Sequence, residues 1–237
     1  MKDLQSIIDN SRKIVFFGGA GVSTESNIPD FRSVDGLDNQ TYDYPPETIL
    51  SHGFFQTHPE EFFNFHRDKM IALWAKPNKA HLKLAEMEKK GKLIGVITQN
   101  IDGLHQAAGS VNVMELHGSV HRNFCTSCGK MYDAAYIKNS TGIPRCEKCG
   151  GMIKPDIVLY DESLNTDTLD RAVDAIAEAD TMIVAGTSLT VYPAAGLLRF
   201  FRGNNLVLIN RDETPYDNYA ALVIHEKVGE VLDKIKL

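Results

Sequence analysis

No apolar run in the 237-residue chain is long enough to cross a membrane as a helix. The longest, Ile14-Val15-Phe16-Phe17 and Leu206-Val207-Leu208-Ile209, are strand-sized, against the roughly 20 residues a span needs. The opening residues, Met1-Lys2-Asp3-Leu4-Gln5, show no basic-then-apolar leader, so the expected compartment is the cytoplasm. A basic excess is also missing. Lysine and arginine number 25 against 31 aspartate and glutamate, a net charge of −6. That balance argues against a dedicated nucleic-acid site and leaves room for a basic protein or peptide partner. Repeats and low-complexity tracts are absent, and 43% hydrophobic with 24% charged residues excludes disordered and fibrous architectures. The length suffices for one sizeable core or two small ones, with a monomer as the default.

Cysteine is scarce and organised. The four are Cys125, Cys128, Cys146 and Cys149, two Cys-x2-Cys pairs with 17 residues between them. Such turns aim two thiolates each at one ion, and four thiolates close a tetrahedral zinc shell without leaving room for a catalytic water. The expectation is one structural Zn2+; two disulfides are the alternative, disfavoured in a reducing compartment.

Apolar strands alternate with amphipathic helices over most of the length, the pattern of an α/β fold with a Rossmann-like parallel sheet. Strands are expected at 13–17, 93–97, 113–116, 181–185 and 206–209. Helices are expected at 81–90, around Leu169 to Ala177, at 193–202, and near Val228 to Ile235. Two segments break the rhythm. Residues 33–77 are aromatic-rich with helical patterning (Phe62, Phe65, Met70, Leu73), and 119–153 hold the cysteines. The sheet domain is therefore expected over 1–32, 78–118 and 154–237, with a helical insertion at 33–77 and a zinc-binding module at 119–153, jointly forming a small lobe.

Polar or glycine-rich residues follow each expected strand, where open parallel sheets bind ligands. They are Gly18-Gly19-Ala20-Gly21-Val22-Ser23-Thr24, then Thr98-Gln99-Asn100-Ile101-Asp102, His117-Gly118, Gly186-Thr187-Ser188 and Asn210. The Gly19-x-Gly21 start resembles a dinucleotide fingerprint, but Thr24 stands at the third glycine and Pro29 comes too soon for a full helix. A dinucleotide held here is not held for hydride transfer, and its ribose contact has to come from elsewhere, Asn210 being a candidate. A plain tight turn is the alternative. Phe31-Arg32 beside this loop suggests a flap over a ligand.

Together these strings resemble the sirtuin family: Gly19-Ala20-Gly21-Val22-Ser23, Ile28-Pro29-Asp30-Phe31-Arg32, Thr98-Gln99-Asn100-Ile101-Asp102-Gly103-Leu104-His105 and Leu116-His117-Gly118, followed by the cysteine pairs, Gly186-Thr187-Ser188 and Asn210. The resemblance runs from about Ile14 to Val228 and favours the short bacterial kind. It implies an NAD-dependent protein-lysine deacetylase acting on acetylated proteins or peptides, with nicotinamide and O-acetyl-ADP-ribose as products. On this resemblance His117 is the general base. Ala20, Thr24, Gln99, Thr187, Ser188, Asn210 and Lys227 contact NAD, while Phe31 and Arg32 form the cofactor loop. Asn100, Ile101 and Asp102 lie at the nicotinamide, Asp102 being also a plausible helix cap from its position alone. The peptide is expected to add as a strand along Ile157-Val158-Leu159-Tyr160, at Val158 and Tyr160. Gly18, Asn27 and Asp161 depart from the family, whose members often carry Thr, Gly and Gly there.

Relatives that remove succinyl or malonyl groups carry a Tyr and an Arg three residues apart. Aligned through Ala75-Lys76-Pro77-Asn78, those positions hold Phe63 and His66, so neutral acyl groups are expected, with Arg67 next door as the reservation. A protein mono-ADP-ribosyltransferase, a deacylase for longer or acidic acyl groups, and a non-enzymatic NAD-binding module are the alternatives.

Overall fold

The computed structural model describes residues 3–31, 36–39 and 42–237. Arg32 lies outside the described residues. Nine strands occur among the described residues: β1 (Ile14–Gly18), β2 (Leu93–Thr98), β3 (Val113–Glu115), β4 (Gly118–Cys125), β5 (Met131–Tyr132), β6 (Ile153–Ile157), β7 (Thr181–Ala185), β8 (Asn205–Ile209) and β9 (Leu222–Ile224). Six make a parallel sheet in the order β3-β2-β1-β7-β8-β9. Chain direction across the sheet reverses between β1 and β7, which opens a crevice beyond their carboxyl ends.

Every residue of β1 and of β7 is buried, because helices cover both sheet faces. On one face Ile14, Phe16, Ile183 and Val207 meet Leu84 and Met87 of the helix Lys79–Lys89 and Val231 and Leu232 near the C-terminus. On the other, Val15, Phe17, Met182 and Val184 meet Ala172 and Ile176 of the helix Thr166–Glu178. The first of these helices begins two residues earlier than its apolar stripe, since the Asn78 side chain caps it, accepting from Ala80 N at 2.9 Å. The α-helix expected over 193–202 is a 3-10 run at Ala194–Phe200 instead. Pro193 supplies no N–H at its start, and Gly196 lowers helix propensity inside it.

A second, antiparallel sheet, β5-β4-β6, lies outside the strands expected from the sequence. Its Val120, Tyr132, Ile153 and Ile157 share one buried cluster with Phe54, Phe55, Phe62, Phe63 and Phe65 of the helical segment. Asn27 and Asp161 have φ of 62° and 71°. This left-handed conformation is the one Asn and Asp tolerate best after glycine, which accounts for their standing where glycine is common.

Candidate active site

The loops after β1 and β7 interlock: Gly19 N donates to Ala185 O at 3.1 Å and Gly21 N to Gly186 O at 2.8 Å. Beyond Gly21 the chain makes two 3-10 turns, Ala20–Val22 and Thr24–Ser26, not the helix of a hydride-transfer site. Above these loops, between the two sheets, runs a cleft of about 500 Å³. Every sequence-predicted cofactor or substrate residue that is described lines it: Ala20, Thr24, Phe31, Gln99, Asn100, Ile101, Asp102, His117, Val158, Tyr160, Thr187, Ser188, Asn210 and Lys227. Strand ends far apart in sequence are joined across its floor, since Gln99 Nε2 donates to Thr187 Oγ1 at 3.1 Å. At the far end Asn210 Nδ2 donates to Asp212 O at 2.8 Å, while the Lys227 ammonium pairs with Glu230 at 3.4 Å.

His117 is fixed from both sides. Its Nδ1 lies 2.9 Å from the Gln99 carbonyl, which only accepts, so the proton sits on Nδ1 and the lone pair on Nε2. Burial pulls its pKa below the ordinary 6.5, partly offset by the Gln99 carbonyl, which leaves the ring neutral at pH 7. Its own carbonyl accepts from Val158 N at 3.0 Å. Gly118, at φ +76°, permits this closeness: a Cβ there would stand 1.9 Å from Asp156 O on β6.

Asp102 is held on both carboxylate oxygens. Oδ2 accepts from Ser23 Oγ at 2.6 Å and Oδ1 from Leu104 N at 2.9 Å, the latter a cap-like contact at the helix Leu104–Ala107. Asn100 Nδ2 donates to the same Ser23 Oγ at 3.1 Å. Ser23 is thus the hub of a cluster of polar side chains facing the cleft; it stood within the glycine-loop motif, but no sequence signal gave it this role. Phe31 lies across the cleft against the small-lobe core.

The segment Ile157–Tyr160 offers a peptide less main chain than expected. Val158 N is bonded to His117 O, Leu159 N to Glu162 Oε2 at 2.9 Å, and Tyr160 N to Leu50 O at 2.9 Å. These three N–H donors are spent inside the protein, so a docked strand cannot draw on them.

The two positions expected to select the acyl group are closed. Phe63 and His66 are both fully buried, and burial drives the His66 imidazole down to about 3, leaving it neutral. Arg67 turns away from the cleft, donating to Gly142 O at 2.8 Å and Asn64 Oδ1 at 2.7 Å. Lys69 does line the cleft, paired with Asp68 at 3.1 Å.

The sulfurs of Cys125, Cys128, Cys146 and Cys149 all lie within 4.8 Å of one another. The Cys125–Cys149 and Cys128–Cys146 separations are 3.4 and 3.5 Å, far beyond a disulfide bond of about 2.05 Å. Four thiolates about 2.3 Å from one centre would stand about 3.8 Å apart, so the set fits one tetrahedral zinc. Tyr132 supports it: its hydroxyl donates to Cys146 Sγ at 3.1 Å and helps pull that thiol down to about 6.

Fold and site together define a Rossmann-like nucleotide-binding protein with a four-thiolate metal lobe. Residues 19–193 match the Sir2 family, and the chain belongs to it. It is 59% identical to an NAD-dependent protein deacetylase of Clostridium acetobutylicum over 99% of this chain and 97% of that one. It is 57% identical to one of Clostridium perfringens, over 98% and 96%. Among solved structures, a Sir2 homologue bound to NAD superposes with TM-score 0.89 at 41% identity, covering 98% of this chain and 90% of that one. A Sir2 protein with a deacetylated p53 peptide and 3′-O-acetyl-ADP-ribose superposes with TM-score 0.89 at 42% identity, covering 96% and 94%. No helix among the described residues is long and apolar enough to cross a membrane.

Proposed function

We propose that this chain is an NAD-dependent protein-lysine deacetylase that transfers neutral acyl groups, acetyl above all, from lysine side chains to ADP-ribose. The observation that carries the proposal is His117: a neutral imidazole with Nδ1 tied to Gln99 O, in one cleft with the glycine loop and Asp102. NAD bound in the cleft supplies, on loss of nicotinamide, a ribose carbon that the acyl oxygen of the lysine can attack. His117 Nε2 would take the proton from a ribose hydroxyl, which attacks the carbon of the resulting imidate. The C–N bond then breaks to release lysine as its free amine, and water adds to leave acetyl-ADP-ribose. Burial lowers the His117 pKa below its ordinary value, which favours the neutral ring the base needs.

The loops at Ala20, Thr24, Thr187 and Ser188, with Gln99, Asn210 and the Lys227 region, bind the phosphates and riboses. Asn100, Ile101 and Asp102 bind the carboxamide of nicotinamide. Phe31, with Arg32, excludes water from the reacting carbon so that the acyl oxygen captures it instead. Residues 1–32, 78–118 and 154–237 act as the NAD-binding domain, 33–77 and 119–153 as the lobe that closes the cleft, and zinc holds the latter. Val158 and Tyr160 contact the acetylated peptide through side chains and carbonyls. The working form is a cytoplasmic monomer with no membrane or nucleic-acid partner.

The test is mass spectrometry of reactions with NAD and an acetyl-lysine peptide. Acetyl-ADP-ribose is expected, lost in His117→Ala while the fold is retained. ADP-ribose attached to protein, or turnover unchanged in His117→Ala, would overturn the assignment in favour of a transferase or another base.

A further inference from the structure

We infer that His121 is a positioning residue for the nicotinamide side of the cleft, acting through the main chain of Asp102. The inference rests on the reading of Asn100 and Asp102 as the nicotinamide pocket. It begins with a fault in the small sheet. β4 pairs with β6 at Gly118–Ile157 and Ser119–Asp156, and pairing resumes only at Asn123–Pro155. Three residues of β4 are left out of the ladder, a bulge that re-aims them. Each makes one bond to the nucleotide lobe, although the Val120 side chain stays in the small-lobe core and Arg122 Nε also donates to Asp156 Oδ2 of β6 at 2.7 Å. Val120 N donates to Ile101 O at 3.0 Å, His121 Nε2 to Asp102 O at 2.9 Å, and Arg122 Nη1 to Glu115 Oε2 at 2.7 Å.

Gly103 supplies the second observation. It sits at φ +72°, and a Cβ there would stand 2.7 Å from Cδ2 of His121. The imidazole occupies the space a side chain would need, so ring and glycine are matched. A peptide plane leading into a glycine rotates easily, and the two bonds on the Asp102 carboxylate do not hold its carbonyl. The His121 N–H does. Because a carbonyl only accepts, Nε2 is the protonated nitrogen in the neutral ring. The bulge strand also ends at Cys125, so the pocket floor is held by the strand that carries a zinc ligand.

The experiment compares two variants of the full chain. His121→Phe keeps a ring over Gly103 and loses the donor; His121→Gln loses the ring and keeps an amide donor. Both are measured for melting temperature, peptide KM, kcat, and the inhibition constant for nicotinamide in acetyl-peptide turnover. His121→Phe is expected to weaken nicotinamide inhibition about 5- to 10-fold, the loss of roughly one hydrogen bond, with peptide KM within about twofold. His121→Gln is expected to stay near the parent. A parent-like constant in the Phe variant overturns the inference, as does a loss in Gln that exceeds the loss in Phe, or failure of both to fold. Asp102→Asn separates the two levels. Nicotinamide inhibition untouched there removes the pocket assignment and the inference with it; inhibition weakened there but not in His121→Phe removes the inference alone.

Discussion

Gly118→Ala puts the placement of the proposed base under direct strain. The added Cβ would lie 1.9 Å from Asp156 O, a backbone atom that cannot swing aside, so β4 and β6 must part by at least about 1 Å to reach the 3.0 Å limit of real Cβ contacts. Holding a non-glycine residue at φ +76° costs about 1–2 kcal/mol. Overpacking of the strand pair adds roughly 1–3 kcal/mol. Losing the Val158 N–His117 O bond adds about 1 kcal/mol. The total, about 3–6 kcal/mol, is a large part of a typical stability of 5–15 kcal/mol but not necessarily all of it. Gly91→Ala is the control. Gly91 has a similar φ of +72° with nothing within 4 Å of a built Cβ, so only the left-handed cost of about 1–2 kcal/mol applies. Melting temperatures should fall by roughly 2–8 °C in the control and about twice to three times as far in Gly118→Ala. A displacement of about 1 Å at His117 should cut kcat on an acetyl-peptide by about 10²-fold, against no change in the control. Equal melting temperatures in the two variants, or a Gly118→Ala enzyme with parental kcat, would refute the reasoning.

Buried histidines give an acid-stability prediction. His66, His105 and His81 are held neutral by burial at about 3, 3 and 4, against an ordinary 6.5. Their folded values are depressed, so the unfolded chain binds more protons below pH 6.5 and stability falls as pH drops through that window. At pH 5.5 each should cost about 1.4 kcal/mol, roughly 4 kcal/mol together, in urea unfolding compared with pH 8; replacing His66 by Leu should remove about a third of the slope, and an unchanged slope would contradict the burial account. Cys125→Ser should release zinc, measured by metal content, and lower the melting temperature sharply; a folded, zinc-free variant melting like the parent would disprove a structural role. Initial rates should favour acetyl- over succinyl-lysine peptides, and the reverse order would overturn the assignment at Phe63 and His66.

The parallel sheet was legible because its central strands are buried on both faces and therefore read as unbroken apolar runs, as Ile14–Phe17 does. The site was legible for a related reason: each run ends abruptly in small or polar residues, and the fold gathers those ends. The small sheet was not legible. β4 reads Gly-Ser-Val-His-Arg-Asn-Phe-Cys, and the bulge at Ser119–Asn123 destroys the period of two that marks a half-buried strand. β9 is three half-exposed residues paired only with β8, too short to carry a pattern. Ser23 and His121 are not legible for another reason. Each acts on Asp102 by a single hydrogen bond across the fold, and nothing local in the chain records such a bond.

The same distinction explains why Arg67 cannot be placed from sequence alone. A one-residue slip in the helix carrying Phe63 and His66 would present a different face to the cleft, and such an irregularity is present: His66–Met70 forms a π-turn, closed by Ile71 N to His66 O at 3.1 Å. The extra residue in that turn changes which side chains meet the cavity. Lys69 and Met70 line the cleft wall, while Arg67 reaches Gly142 O of the zinc module and Asn64 Oδ1 of its own helical segment, which occupy its guanidinium. The cation that does reach the wall is already opposed by Asp68. An acyl carboxylate drawn to Lys69 would have to displace that pairing in competition with a tethered carboxylate, whereas an acetyl group needs no cation. The proposed preference for neutral acyl groups therefore rests on two things, the Phe63 and His66 side chains that the sequence already shows and the register of one turn, which it does not.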